Sequence, residues 1–420
     1  MQYDPTRGPD KGDIVTAFAL WLGLLFVAPV AAETVTLARA LELAEQNHPS
    51  LKAGAARNAA AAGRILSARA YPNPEVALLS GSMYNQPPGG RRFNTPVFTF
   101  SQPLELGGLR PARIDVAERG LESSRRALEE IRLSVLTNVR FSFHQVLRYE
   151  GEIGIADEAL RLAQDLRDRI RVRVEVGEVG RLELVRAEAE VATARSFAAN
   201  ARIQKVAAMS AFRAALGGNV PLDWEPAGSL DSPSALPALD KLREDVLSRH
   251  PSLSYFQAEV TRAQSQLTYE RALKRPQPQL RGEVDNTNPS YRFGVSVTLP
   301  AWNRRAGEIA TAEANLREVQ YVKEARQTQL LAALESAYGR FQVSNTEVAA
   351  LEQGLMREAM EAVRAAEAAY QLGERSIVEV LDAQRVLRTV RLNLINAQFD
   401  RQTALIEIDE LRAVIPGVKP

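Results

Sequence analysis

The sequence contains no cysteine, only three histidines, and only seven lysines against 45 arginines. The lack of cysteine excludes disulfides, thiolate metal sites, a cysteine nucleophile and a lipidated N-terminal cysteine. Aromatic residues make up 6% of the chain, and this low share, together with abundant alanine, suits long and closely packed helices. Because arginine is so common, a single arginine is weak evidence of a functional site.

Motifs for catalysis are also missing. The sequence has no glycine-rich phosphate loop, no histidine cluster and no nucleophile motif, and Gly107-Gly108 lacks the rest of a dinucleotide-binding fingerprint. The formal net charge of +1 gives no general attraction to nucleic acid or anionic lipid. We therefore predict a protein that is not an enzyme and has no catalytic residues, no cofactor and no metal site.

Residues 1–32 are typical of a secretory signal peptide. Two basic residues precede an apolar run over residues 14–30, and small residues stand before a cleavage point at Glu33. The run is short for a spanning helix, which needs about 20 apolar residues, so we favour cleavage over a retained anchor. No later segment is apolar enough to span a membrane as a helix, so any crossing would have to use strands.

The chain repeats itself at an offset of 196 residues. Residues 176–195 (VGEVGRLELVRAEAEVATAR) recur as residues 372–391 (LGERSIVEVLDAQRVLRTVR). Each copy is typical of a sharp turn between two long helices, in which Gly177 and Gly373 stand where a helix end requires a positive φ. The sequence therefore predicts two copies of one folding unit.

The tetrapeptide His-Pro-Ser-Leu also occurs twice, beginning at His48 and at His250. The residue before a proline is pushed out of the helical region, so each tetrapeptide ends one helix. We expect Ser50 to cap the helix that follows. Both histidines are therefore assigned to helix boundaries rather than to metal binding.

Each copy also contains a pair of extended segments. Apolar residues such as Tyr291, Phe293 and Val295 alternate with polar ones such as Arg292 and Ser296, which predicts strands with one apolar face. Their length approaches the roughly 9–11 residues of a tilted membrane strand. Soluble hairpins are the alternative, although an isolated hairpin is only marginally stable. Open strand edges cannot face lipid, so a barrel would require several chains.

Long helices with a coiled-coil seam occupy most of the chain. One helix from about Pro111 to Val176, about 100 Å long, has a copy from about Arg305 to Leu372. The return helices, residues 182–216 and 377–413, are only half as long. The helix that precedes the hairpin has the missing length, so each unit is predicted as one long helix flanked by two shorter helices stacked end to end.

These patterns divide the chain into five segments. The signal peptide comes first, followed by two copies of the repeat that flank a linker rich in Gly, Pro and Ser, and then by a flexible tail. The boundaries are residues 1–32, 33–216, 217–239, 240–413 and 414–420. The strands are predicted at about 75–83, 97–103, 279–285 and 291–299, and the turns at about 176–181 and 372–376.

Two acidic residues follow the second turn. Glu379 and Asp382 lie three residues apart on one helix face. If several copies surround an axis, these acids form a ring of carboxylates that attracts cations and resists tight closure. Acids near a helix N-terminus are equally explained by the helix dipole, and both explanations stay open.

The duplicated order of helix, strand, strand, long helix, glycine turn and helix resembles the TolC family of outer-membrane efflux channels. Residues 372–383 (LGERSIVEVLDA) are similar to the family motif at the periplasmic tip. The resemblance implies a mainly α fold with a small β part. It also implies a homotrimer in the outer membrane, in which three chains give four strands each to one barrel above a long periplasmic tunnel of helices.

The resemblance also implies roles for single residues. Glu183, Tyr370 and Arg375 match the positions that hold the family's tip shut, and Glu379 and Asp382 match its constriction carboxylates. Two of the five, Glu183 and one of the constriction pair, replace aspartate by glutamate, which keeps the charge and lengthens the reach.

The implied function is a passive outer-membrane channel that conducts substrate delivered by an inner-membrane pump of the resistance-nodulation-division (RND) class through a periplasmic adaptor. Residues 101–113 resemble the CzcC-like branch, which implies heavy-metal cations as cargo. A duct for drug efflux or type I protein secretion is the first alternative. A soluble periplasmic coiled-coil or adaptor protein is the second.

Overall fold

The computed structural model describes residues 34–82, 94–218, 221, 224–230, 236–285 and 290–415. The predicted signal peptide and residues 416–420 of the predicted tail lie outside these ranges. Helices dominate the described residues, and their order follows the duplication expected from the sequence.

The first copy consists of a short strand, two helices, a β-hairpin and two further helices. In chain order these are β1 (Thr34–Val35), α1 (Leu37–Asn47), α2 (Pro49–Arg69), β2 (Glu75–Ser82), β3 (Asn94–Pro103), α3 (Leu109–Glu175) and α4 (Arg181–Ala215).

The second copy follows the same plan, with one interruption in its long helix. Its elements are β4 (Glu225–Pro226), α5 (Leu239–Arg249), α6 (Pro251–Leu273), β5 (Gln277–Asp285), β6 (Ser290–Thr298), α7 (Ala306–Ala350), a π turn (Leu351–Leu355), α8 (Met356–Gln371) and α9 (Ile377–Leu411).

Histidines cap the helices that begin at the two prolines. The Nδ1 atom of His48 accepts a hydrogen bond from the backbone N–H of Ser50 at 3.2 Å, and His250 accepts one from Ser252 at 3.1 Å. The boundary role of both histidines is confirmed, but the prediction that Ser50 is the cap is wrong. Pro49 already occupies the first helical position, where its missing N–H is not needed, so the imidazole before it reaches the next free amide.

The long helix of the first copy has 67 residues and is flanked by two shorter ones. Its N-terminal half contacts α2, where Gly54 lies against Leu128, and its C-terminal half contacts α4, where Ala163 packs with Val191. In the second copy, α6 and α9 pack on α7. The predicted arrangement of one long helix with two shorter partners is therefore confirmed, and α3 also contacts α6 and α9.

The second long helix extends from Ala306 to Gln371, as predicted, but a π turn interrupts its regular α geometry between α7 and α8. The side chains that pack toward α9 recur every three or four residues, except between Leu351 and Met356, where the step is five. A π turn absorbs one extra residue within the helix. The contact seam therefore continues from α7 into α8 without rotating away from α9.

One sheet joins the two copies. Its strand order is β2-β3-β5-β6, antiparallel throughout, with β3 of the first copy paired to β5 of the second. The sequence predicted the strands but not this central pairing. A second, parallel pair links β1 to β4, so part of the segment predicted as a linker forms a strand.

Candidate functional site

The two faces of the four-stranded sheet differ in polarity. Residues that lie opposite each other in the register, such as Leu78 with Phe98 and Val284 with Tyr291, share a face. That face is apolar and exposed to the outside of the chain. Its apolar side chains are Val76, Leu78, Phe98, Phe100, Leu280, Val284, Tyr291, Phe293, Val295 and Val297.

The opposite face carries hydrogen-bonding and charged groups. Arg292 donates to Glu283 across the strands at 2.9 Å, and Gln279 donates to Ser101 at 2.8 Å. Apolar residues of the first hairpin, Leu79 among them, also lie on this face. The alternation read from the sequence is therefore sharpest in the second hairpin.

Both turns at the far end of the helices have the same backbone geometry. Gly177 has φ of 81° and Gly373 has φ of 76°. Each glycine N–H donates to the carbonyl three residues back, and the next N–H donates to the carbonyl five residues back, from Glu178 to Arg173 at 2.9 Å in the first turn. This pattern satisfies the free carbonyls of the ending helix, which explains why glycine stands at both positions.

A hydrogen bond joins the two turns within one chain. The phenolic oxygen of Tyr370, in the last turn of α8, donates to the Glu183 carboxylate at the start of α4 at 3.0 Å. The Tyr370 ring is buried among Leu166, Ile170 and Ile377. Burial, followed by the hydrogen bond to Glu183, raises the pKa of Tyr370 above its ordinary value, so the hydroxyl stays a donor at neutral pH.

The remaining predicted tip residues do not join this contact. Arg375 is exposed in the second turn and pairs with Glu379 of the following helix at 3.3 Å, rather than with the first turn. Glu379 and Asp382 are both exposed on α9. Among the described residues, no hydrogen bond or ion pair of Asp382 is present. The structure thus brings Glu183 to Tyr370 and Arg375 to Glu379, and leaves Asp382 facing solvent.

Sequence reasoning missed a buried ion-pair cluster two helical turns from the tip. Glu190 of α4 is 5% exposed, and Arg385 and Arg388 of α9 both bind its carboxylate. No sequence motif indicates this cluster, because all of its cations are arginines and the chain has 45 arginines. The signal available in the sequence was the position of Glu190. It lies three residues after Ala187 and four before Ala194, and therefore on the same helix face as these two small apolar residues.

Two negative findings apply to the residues that the structure describes. None of their helices is long and apolar enough to cross a membrane. No group of three or more histidine, aspartate or glutamate residues among them is placed to hold a metal ion.

Solved structures with this arrangement of helices and strands are outer-membrane channels. The outer-membrane channel CmeC of Campylobacter jejuni superposes with a TM-score of 0.77 at 17% identity, covering 90% of this chain and 85% of that chain. CusC superposes with a TM-score of 0.75 at 18% identity, covering 90% and 91%. The duplicated helical hairpins and the shared sheet therefore define the fold of an outer-membrane channel.

The outer membrane efflux protein family matches residues 40–218 and 242–413, and the chain belongs to this family. It is 28% identical to the cobalt-zinc-cadmium resistance protein CzcC of Cupriavidus metallidurans, over 91% of this chain and 90% of that protein. The nickel-cobalt-cadmium resistance protein NccC of Alcaligenes xylosoxydans xylosoxydans is 24% identical over 69% and 65%. The pyoverdine export outer membrane protein OpmQ of Pseudomonas putida is 25% identical over 89% and 83%.

Family membership confirms the resemblance and its main consequence. The chain is an outer-membrane efflux channel protein, and members of this family are passive channels rather than enzymes. Family members form trimers that work with an adaptor and an RND pump. The alternative of a soluble periplasmic adaptor is therefore wrong, since it offered no reason for an amphipathic sheet shared by the two copies.

Proposed function

We propose that three copies of this chain form the outer-membrane duct of a tripartite system that exports heavy-metal cations. An RND pump in the inner membrane would supply the energy, and a periplasmic adaptor would connect the pump to the helical tip. The observation that carries this proposal is the two-faced sheet, in which β2 and β6 are the outer strands and each pairs with one neighbouring strand.

The two outer edges of the sheet determine how it can be placed in a membrane. An apolar face suits lipid, but unpaired backbone N–H and C=O groups at the two edges cannot remain in hydrocarbon. Pairing β6 of one copy with β2 of the next satisfies both edges and closes a barrel when three copies complete the ring. The polar face, with its Glu283–Arg292 pair, then lines the water-filled interior.

The oligomer is the first point to test. Protein extracted in mild detergent from purified outer membranes should have the mass of a trimer, measured by light scattering with correction for detergent. A monomer in that fraction would contradict the shared barrel. Replacing Val295, near the middle of β6, with proline removes a backbone N–H from the outer strand and should reduce trimer yield, whereas Val295→Thr keeps that N–H and should not.

The proposal that the cargo is a metal cation rests on the names of the relatives. Two of them carry metal resistance in their names, whereas OpmQ is named for pyoverdine export. Deletion of the gene for this chain should lower the tolerated concentration of cobalt, zinc or cadmium, and a plasmid copy should restore it. Unchanged metal tolerance with increased sensitivity to drugs, or with loss of a secreted protein, would instead favour the alternative duct.

We further propose that Glu183, Tyr370 and Arg375 bias the tip closed. Tyr370 bridges the two turns directly, whereas Arg375 pairs with Glu379 among the described residues. Tyr370→Phe should therefore raise single-channel conductance more than Arg375→Ala does. Tyr321→Phe, at an exposed tyrosine of α7, is the matched control. Unchanged conductance in both Tyr370→Phe and Arg375→Ala would contradict the proposal that these residues bias the tip closed.

Glu379 and Asp382 are proposed as the constriction carboxylates. Both are exposed on one face of α9 near the tip, where a threefold ring would concentrate negative charge and favour cations. Neutralising both, as Glu379→Gln with Asp382→Asn, should shift the reversal potential in a salt gradient toward zero. The same charge change at Glu358 and Glu361 of α8 should not, and equal selectivity in the two double variants would place the constriction elsewhere.

A further inference from the structure

A buried carboxylate lies between the two helical hairpins, away from the turns. Both oxygens of Glu190 are occupied. Arg385 donates to Oε2 through Nη2 at 2.7 Å and through Nε at 3.2 Å, and Arg388 donates to Oε1 at 3.1 Å. A carboxylate held by two guanidinium groups in this way has strong and directional hydrogen bonds.

The partners come from different copies of the repeat. Glu190 belongs to α4, and the two arginines belong to α9. One turn further along α9, Arg391 pairs with Glu158 of α3. Arginines at positions 385, 388 and 391 therefore follow one edge of α9, and each meets an acid of the first copy. The matching positions on α4, at an offset of 196, are alanine, alanine and arginine, so the first two arginines are not part of the duplicated pattern.

The Glu190 cluster is separate from the tip contact. Glu190 lies seven residues beyond Glu183, which is about 10 Å along the helix at 1.5 Å per residue. Leucine, valine and alanine side chains of α3, α4 and α9 surround the Tyr370–Glu183 bond. The side chain of Arg385 is half exposed, whereas that of Glu190 is 6% exposed. The cluster therefore extends from the surface into the contact between the two hairpins.

Separation of α9 from α4 would leave the Glu190 carboxylate without its ion-pair partners. A buried charge without a partner is strongly unfavourable, so the intact cluster favours the arrangement in which α9 packs on α3 and its arginines reach Glu190 of α4. Without the negative charge, Arg385 and the largely buried Arg388 would face the first hairpin with no counter-ion, and separation of the hairpins would return both cations to water.

We propose that Glu190 is a positioning residue that holds the second hairpin against the first and so sets the resting width of the duct near its tip, independently of Tyr370 and Glu183. The proposal rests on the channel function proposed above. It predicts that widening requires water or a binding partner to reach Glu190 and replace its arginines.

The test uses Glu190→Gln, which keeps the shape and removes the charge. Glu188→Gln is the matched control, because Glu188 is exposed on the same helix. Single-channel conductance of purified protein in planar bilayers should rise several-fold for Glu190→Gln and stay unchanged for the control. The exchange Glu190→Arg with Arg388→Glu should return conductance toward the native value, which a loss of packing alone would not allow.

A distance measurement separates this proposal from the channel function. The chain has no cysteine, so spin labels attach only at Glu188→Cys and Val386→Cys, and co-expression with excess unlabelled cysteine-free chain gives trimers in which the distance reports the separation of α4 and α9 within one chain. The distance should lengthen or broaden when Glu190→Gln is added. An unchanged distance overturns the proposal, and so does a lengthened distance with native conductance. If the native protein forms no channels but the distance lengthens, the channel function fails and the positioning role stands.

Discussion

The guanidinium of Arg140 in α3 lies 2.7 Å from the carboxylate of Asp409 in α9. Arg140 is buried, Asp409 nearly so, and the two residues come from different copies of the repeat. Their pairing fixes the C-terminal half of α9 to the first copy, far from the tip. The two hairpins are thus joined by a buried pair at this level and by the Glu190 cluster near the tip.

Removal of one partner should destabilise the protein strongly. Arg140→Met leaves Asp409 without its counter-ion, and breaking a buried pair in this way costs about 3–5 kcal/mol. Arg364→Met, which removes one side of the exposed pair with Glu361, should cost less than about 1 kcal/mol. Unfolding in urea, followed by circular dichroism in detergent, compares the two. Equal losses would mean that Arg140 contributes no more than a surface charge.

Ala413 ends α9 in a conformation that favours glycine. Its φ is 54°, and Gly217, at the corresponding position after α4, has φ of 98°. The left-handed region costs an L-residue about 1 kcal/mol, so Ala413→Gly should raise the thermal midpoint of unfolding. Gly217→Ala is the reverse change and should lower it, since the added Cβ would also lie 3.1 Å from the Cα of His48. A lower midpoint for Ala413→Gly would contradict the strain.

His250 should make the protein sensitive to acid. Burial, and then the positive charge of Arg326, lower its pKa from 6.5 to about 4, and the cap needs an unprotonated Nδ1. The neutral form is therefore favoured in the folded state. Its contribution is fully present above pH 6.5 and is lost as pH falls toward 4.

The replacement His250→Asn keeps a capping acceptor without a titrating group. The fall in thermal midpoint between pH 6.5 and 4 should be smaller in this variant than in the native protein. His48→Asn, at the corresponding cap, measures the effect of exchanging the cap residue itself. If the thermal midpoint fell equally steeply in the native protein and in His250→Asn, groups other than His250 would be responsible for the acid sensitivity.

The π turn predicts an unusual tolerance to deletion. Deletion of Gly354 shortens the five-residue step between Leu351 and Met356 to four, so a continuous α-helix would keep Ala359, Val363 and Tyr370 facing their partners. This variant should assemble and conduct. Deletion of Glu361, one turn into α8, rotates the following residues by about 100° and should move Tyr370 away from Glu183. Failure of both variants to assemble would show that the π turn itself is required.

Local rules explain what could be read from the residues alone. The turn glycines follow from positive φ at a helix end, the helix boundaries from His-Pro, and the strand faces from alternation with a period of two. Each depends on neighbours within a few residues, so the printed order of side chains is sufficient. The π turn was not visible in this way, because Leu355 stands four residues from both Leu351 and Ala359 and would continue a regular α-helical seam.

The sequence by itself determined the duplication, the helical hairpins, the amphipathic strands and, through its resemblance, the family. Tertiary structure decided which partners meet. With 45 arginines, nothing local distinguishes Arg388, which binds a buried carboxylate, from Arg375, which pairs with an exposed glutamate four residues further along the chain. The choice depends on which helix faces lie together and how far water is excluded, and these are set by contacts between residues nearly 200 positions apart.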